Sequence, residues 1–178
     1  MNFATKPCTV VVVRCGELRI GVPVSAVRKV VAAPLPQLLP GAPVVVAGLV
    51  NLHGTPLVVL DLARRGAAAR DGVCEESRIV VVETADQRWG LLSERVEGTM
   101  SVEGWTWQDT DAIVPGTGYI AGGIAGEPGV LVLRDPAVWL ARGEAGDLSA
   151  ALAQLDAEAA GAHTAAMSSP IGGESPVP

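Results

Sequence analysis

Val46-Ala47-Gly48-Leu49-Val50-Asn51-Leu52-His53-Gly54-Thr55-Pro56-Leu57-Val58-Val59-Leu60-Asp61-Leu62 is the stretch on which the reading of this chain turns. Two apolar runs, residues 44–52 and 57–62, flank a polar link, His53-Gly54-Thr55. Runs this short and nearly all apolar fit strands covered on both faces. They are too short for ordinary helices, and glycine in the link suits a tight turn. Pro56 has no backbone N–H to donate, so it belongs at the opening of the second strand or on a sheet edge.

Working outward, the same pattern recurs on both sides. Residues 9–14 and 18–22 flank Cys15-Gly16-Glu17 and read as a hairpin, with Gly16 where a positive φ is cheap. Residues 25–31 suggest a helical turn running into a strand. Residues 78–84 and 88–94 flank Ala85-Asp86-Gln87 as a second hairpin, and 96–102, 119–125 and 130–134 complete the series. About ten short strands with close-set turns and no alternating helices indicate an all-β sandwich or barrel, with antiparallel pairing dominant.

Two later segments depart from this pattern. Asp135-Pro136 supplies a cap and a first-turn proline for a short helix over residues 135–141. Leu148, Leu152 and Leu155 recur at helical spacing and predict a helix over 147–160. Residues 161–178 turn to Ser, Gly, Pro and Ala and are expected to be disordered.

Composition narrows the function. The apolar share is 49% of 178 residues, and mean hydropathy is +0.37. The longest uncharged apolar run, 38–50, nevertheless falls short of the roughly 20 residues a membrane helix needs. Val10 to Val13 is cut off by Arg14, which argues against a secretory signal and for the cytoplasm. Cys8, Cys15 and Cys74 lack paired spacing, and His53 and His163 stand far apart, so no metal site is expected. The net charge of −6 combines a basic first part (+6 over residues 1–70) with an acidic remainder (−12 over 71–178). The cations are scattered, without the clustering and aromatic support of a nucleic-acid site. They suit solvated surface or the steering of charged protein partners.

None of the usual catalytic motifs is complete. Gly116-Thr117-Gly118-Tyr119-Ile120-Ala121 matches a dinucleotide fingerprint by letter, but strand character follows it where that fingerprint needs a helix. The only lysines are Lys6 and Lys29, so no phosphate-binding P-loop exists. Asp109-Thr110-Asp111 has an aspartate where an aspartic-protease motif needs glycine. Cys15 or Cys74 with His53 lacks an orienting third residue. Neither an enzyme nor a cofactor is expected.

Ser25-Ala26-Val27-Arg28-Lys29-Val30, Leu39-Pro40 with Pro43, and the stretch quoted at the outset resemble the CheW family. Its pattern there is a Val-x-x-Val/Ile stretch, a Pro-containing link, Gly-Val-x-Asn-Leu-Arg-Gly and Pro-Val-Ile-Asp-Leu. Arg78-Ile79-Val80-Val81-Val82-Glu83, Trp89-Gly90-Leu91-Leu92, Arg95-Val96 and Tyr119-Ile120-Ala121-Gly122 are similar to the rest of the domain, so the likeness covers about residues 9–141. The resemblance implies two small, interleaved SH3-like β-barrels packed together over residues 1–143; the helix (144–160) and tail (161–178) read from the residues lie beyond that domain. It implies a non-catalytic adaptor coupling the regulatory domain of a CheA-type histidine kinase to the tip of a methyl-accepting chemoreceptor, without nucleic acid or membrane insertion. An alternative is a regulatory or decoy subunit of a non-flagellar pathway that has lost one surface.

Partner contact carries over onto Val27, Val30, Leu39 and Gly48, and onto the turn Asn51, His53 and Gly54. Each residue also has a structural reading. Val27 and Val30 can fill a barrel end, Leu39 can anchor the link, Gly48 and Gly54 can serve backbone conformation, and Asn51 can bond its own loop. His53 stands where the family has arginine, which removes a five-donor fork. Glu94 stands where an aspartate is usual, and Arg134-Asp135-Pro136 replaces a more apolar ending.

Overall fold

The computed structural model describes residues 9–16, 18–65, 72–84, 87–103, 106–108, 122–126, 129–133, 139–140 and 142–167. Within them are eleven strands and one α-helix. The strands are β1 (Thr9–Cys15), β2 (Leu18–Pro23), β3 (Val27–Ala32), β4 (Val46–Leu52), β5 (Thr55–Leu60), β6 (Arg78–Glu83), β7 (Arg88–Ser93), β8 (Arg95–Ser101), β9 (Thr106–Gln108), β10 (Gly122–Gly126) and β11 (Gly129–Leu133). The chain is mostly β, as the valine-rich runs predict. The helical turn expected before β3 is a 3-10 turn, Val24–Ala26.

One sheet has the order β8-β1-β2-β11-β10-β9 and the other β3-β6-β7-β5-β4. Among the described residues seven of nine strand pairings are antiparallel, and the two parallel ones are β11 with β2 and β5 with β7. The sheets repeat one plan. A hairpin (β1–β2 or β6–β7) has an edge strand beside its first member (β8 or β3). A second hairpin (β10–β11 or β4–β5) joins its last member through the parallel pair. In the six-stranded sheet the first hairpin comes from the start of the chain and the second from its far end, so the two units interleave.

Alternation along the strands divides the apolar side chains between two clusters. Val80, Val82 and Leu91 face a core shared with Val11, Val13, Ile20 and Val22 of the other sheet. Ile79, Val81 and Leu92 turn the other way, onto Ala47, Val50, Leu57 and Val59. Strands β6 and β7 are therefore covered on both faces. Pro56 lies opposite Asn51 and ahead of the pairing with β7, which begins at Val59, so its missing N–H costs the sheet nothing there.

The helix α1 (Arg142–Met167) starts earlier and ends later than the 147–160 span read from the leucines. Glu144 in its first turn complements the helix dipole, and the alanine-rich sequence carries the helix through Gly161. The leucine face is as expected. Leu148 and Ala151 are buried in the shared core, with Leu152 and Leu155 packed against it. The short helix expected over 135–141 lies outside the described residues except at Trp139 and Leu140, which form a bend with Trp139 buried. Residues 168–178, the end of the expected tail, also lie outside them.

Candidate partner-binding surfaces

The candidate contact residues fall on the two opposite edges of the five-stranded sheet. On the β3 edge, Val24 and Val30 are 40% and 41% exposed, high for large apolar side chains, and Val27 between them is half-buried against the shared core. Arg28 occupies a bulge, since Val27 pairs with Val82 and Lys29 with Val81. Its Nε donates to Glu83 Oε2 at 2.7 Å, and Arg88 Nη2 approaches the same oxygen at 3.4 Å. The Arg28 hydrogen bond holds the Glu83 carboxyl below its ordinary range.

On the β4 edge, the register Leu52 to Thr55 leaves a two-residue turn, His53-Gly54, one residue tighter than the link expected. Both residues have positive φ, 54° and 86°, as the tight turn of a twisted hairpin requires. The Asn51 side chain accepts the Gly54 N–H at 2.6 Å, so it does bond its own loop, and the turn is exposed.

The link between β3 and β4 folds back along β4. Gln37 and Leu49 exchange two backbone hydrogen bonds of 2.8 Å. Gly48 makes that approach possible: at φ 140°, a Cβ on it would overlap the Gln37 carbonyl oxygen and stand 2.8 Å from its carbon. Leu39 is 7% exposed within the shared core. Neither residue therefore offers a free side chain to a partner. Their neighbours do, because Leu35, Leu38 and Val44 are 80%, 74% and 75% exposed. The family resemblance does not point to these three, although large apolar residues among closely spaced prolines are a signal the sequence carries.

Asp61, in sequence only one letter of a motif, has a structural task. It is buried, its Oδ1 accepts the Ala63 N–H at 3.1 Å, and Arg64 lies 3.5 Å from its Oδ2. Arg64 also donates to the Val46 carbonyl at 3.2 Å, so the pair ties the end of β5 to the start of β4.

The candidate thiol–imidazole pair is not brought together. Cys15 is buried with its Sγ 3.6 Å from the Leu92 carbonyl oxygen, whereas His53 is exposed on its turn, so the two do not form a couple. The thiol of Cys74 lies 3.2 Å from the Ser77 hydroxyl. Among the described residues no three His, Cys, Asp or Glu side chains gather as metal ligands, and no helix is long and apolar enough to cross a membrane. The Gly116–Ala121 fingerprint and Asp109-Thr110-Asp111 lie outside the described residues.

The crystal structure of the scaffolding protein TtCheW from Thermoanaerobacter tengcongensis is similar over 80% of this chain and 94% of that one, with a TM-score of 0.67 and 21% identity. At that identity the likeness speaks for the fold. No curated protein matches. The family model for the CheW-like domain matches residues 9–141, three quarters of the sequence and the whole run of strands, and the chain belongs to the CheW-like domain family.

Proposed function

We propose that this chain is a non-catalytic, cytoplasmic adaptor that holds the regulatory domain of a CheA-type histidine kinase and a methyl-accepting chemoreceptor tip together. The observation that carries the proposal is the presence of two separate exposed apolar edges on one sheet. Val24 and Val30, with half-buried Val27 between them, form one, and Leu35, Leu38 and Val44 beside the Asn51–His53–Gly54 turn form the other. Apolar side chains held outward by a hydrogen-bonded backbone lose little freedom on docking, which favours an interface. Leu39 and Gly48 act indirectly, by seating the link. His53 lacks the five-donor fork of an arginine, so the partner there does not depend on a bidentate cation.

Two partners on two edges of a rigid sheet are held at high mutual effective concentration. Any difference in their affinity between receptor states is then felt reciprocally by the kinase. The test uses the purified full-length chain with a kinase regulatory domain and a receptor signalling fragment. A ternary complex is expected, with Val30→Asp weakening one binary complex at least tenfold and Leu38→Asp the other. If the parent binds neither partner at tens of micromolar, the adaptor reading fails. If both variants lose the same partner, the assignment of one partner to each edge fails.

A further inference from the structure

A cleft of about 410 Å³ separates α1 from β5 and β7, with Val58, Trp89, Leu140, Leu148 and Leu152 on its walls. That volume lies within the roughly 300–1,000 Å³ typical of small-molecule sites. Of the four α1 residues that line it, Ala145 and Ser149 are small and leave room beside Leu148 and Leu152.

Arg88 and Gln87 supply the polar part of the lining, and among the described residues no carboxylate belongs to it. Arg88 is half-exposed and, among the described residues, makes one long contact, 3.4 Å to Glu83, whose carboxylate Arg28 already holds at 2.7 Å. Most of its five N–H donors are thus available at the rim. An apolar slot with one guanidinium at its edge matches a ligand with an apolar body and a single anionic head. A planar carboxylate complements the guanidinium fork.

We propose that the cleft between α1 and the five-stranded sheet binds a small amphipathic monocarboxylate, its alkyl or aryl body against Trp89 and Leu152 and its carboxylate on Arg88. This goes beyond the adaptor reading and does not depend on it. Because α1 forms one wall, an occupant bridges the helix to the domain and strengthens its attachment.

The test is calorimetric titration of octanoate into the full-length chain, with octylamine as the charge-reversed probe. One-to-one saturation with a dissociation constant below about 1 mM is expected, with octylamine at least tenfold weaker. Arg88→Gln should weaken octanoate at least fivefold. Ser149→Leu, which fills the cleft from an exposed helix position, should abolish the signal, and Ala145→Leu serves the same purpose if the first variant melts early. Uptake that never saturates, equal binding of the two probes, or a filled variant that binds like the parent would overturn the proposal.

Discussion

Replacing Gly48 by alanine separates its two readings, a partner contact or a backbone necessity. The glycine has φ 140°, and the added methyl would overlap the Gln37 carbonyl. Backbone held in so sparsely populated a region costs an L-residue about 1–3 kcal/mol. The overlap is with backbone, so no rotamer change relieves it, and the link must lift off β4. That breaks the two 2.8 Å hydrogen bonds between Gln37 and Leu49, each contributing about 0.5–1.5 kcal/mol. Together these terms give a loss of about 2–6 kcal/mol, which lowers the melting temperature of a chain this size by roughly 10 °C at the middle of that range. Gly54→Ala is the control: its φ is 86°, but nothing lies within 4 Å of the place its methyl would take, so about 1 kcal/mol is expected. Both variants would be melted by circular dichroism beside the parent. A Gly48→Ala protein at least as stable as Gly54→Ala would refute the close-approach argument and return Gly48 to the contact surface.

Four further outcomes follow from the same geometry. Gly90→Ala would bring a methyl to 2.9 Å from Ile79 Cγ2 and 3.1 Å from both Leu57 and Val59, so overpacking of about 1–3 kcal/mol is expected in urea unfolding. Asp61→Ala leaves the Ala63 N–H without its side-chain acceptor and should lose about 2 kcal/mol, while Asp61→Asn, which keeps an acceptor, should lose less in the same assay. His53→Val places a β-branched residue at φ 54° and should lose about 1–2 kcal/mol, whereas His53→Asn should melt at or above the parent temperature. Because Arg28 lowers the Glu83 pKa, that carboxylate's contribution is complete above the ordinary carboxylate range and fades as pH falls through the lowered value. Glu83→Gln should therefore flatten the acid limb of a stability–pH curve, and an unchanged limb would show that the Arg28 pair contributes nothing measurable.

Most of the strand order is legible in the sequence because valine-rich runs and glycine turns are local signals. The β6–β7 hairpin and the β4–β5 pair require only alternation and turn chemistry. The pairings that join these units are not legible. β5 meets β7 in parallel, and β11 meets β2 from the other end of the chain, and neither contact leaves a local mark. The link shows the same limit at one residue. Gly48 reads identically whether it bends the chain, meets a partner or makes room, and only the arrival of Gln37 eleven residues earlier in sequence decides it. The helix ends escape the leucine pattern because helix propensity summed over an alanine-rich segment outweighs the single glycines at which the sequence invites a stop.

The repeated plan of the two sheets helps to separate scaffold from surface. The bulge that carries Arg28 in β3 has its counterpart in β8, where Glu97 stands between Val96 and Gly98, partners of Val13 and Val12. Around Arg28 the partner is Glu83, with Arg88 beyond it. Around Glu97 stand Arg19 at 2.8 Å, Arg14 at 3.6 Å and Arg95 at 3.8 Å. The bulge residue has opposite sign in the two sheets, yet it is answered each time by opposite charge from the neighbouring hairpin. In both sheets a paired charge lies over the kinked edge, so these ion pairs accompany the bulges. Exposed apolar residues have no such internal partner. That contrast favours recognition through the valines of β3 and the link beside β4, rather than through the more conspicuous arginines.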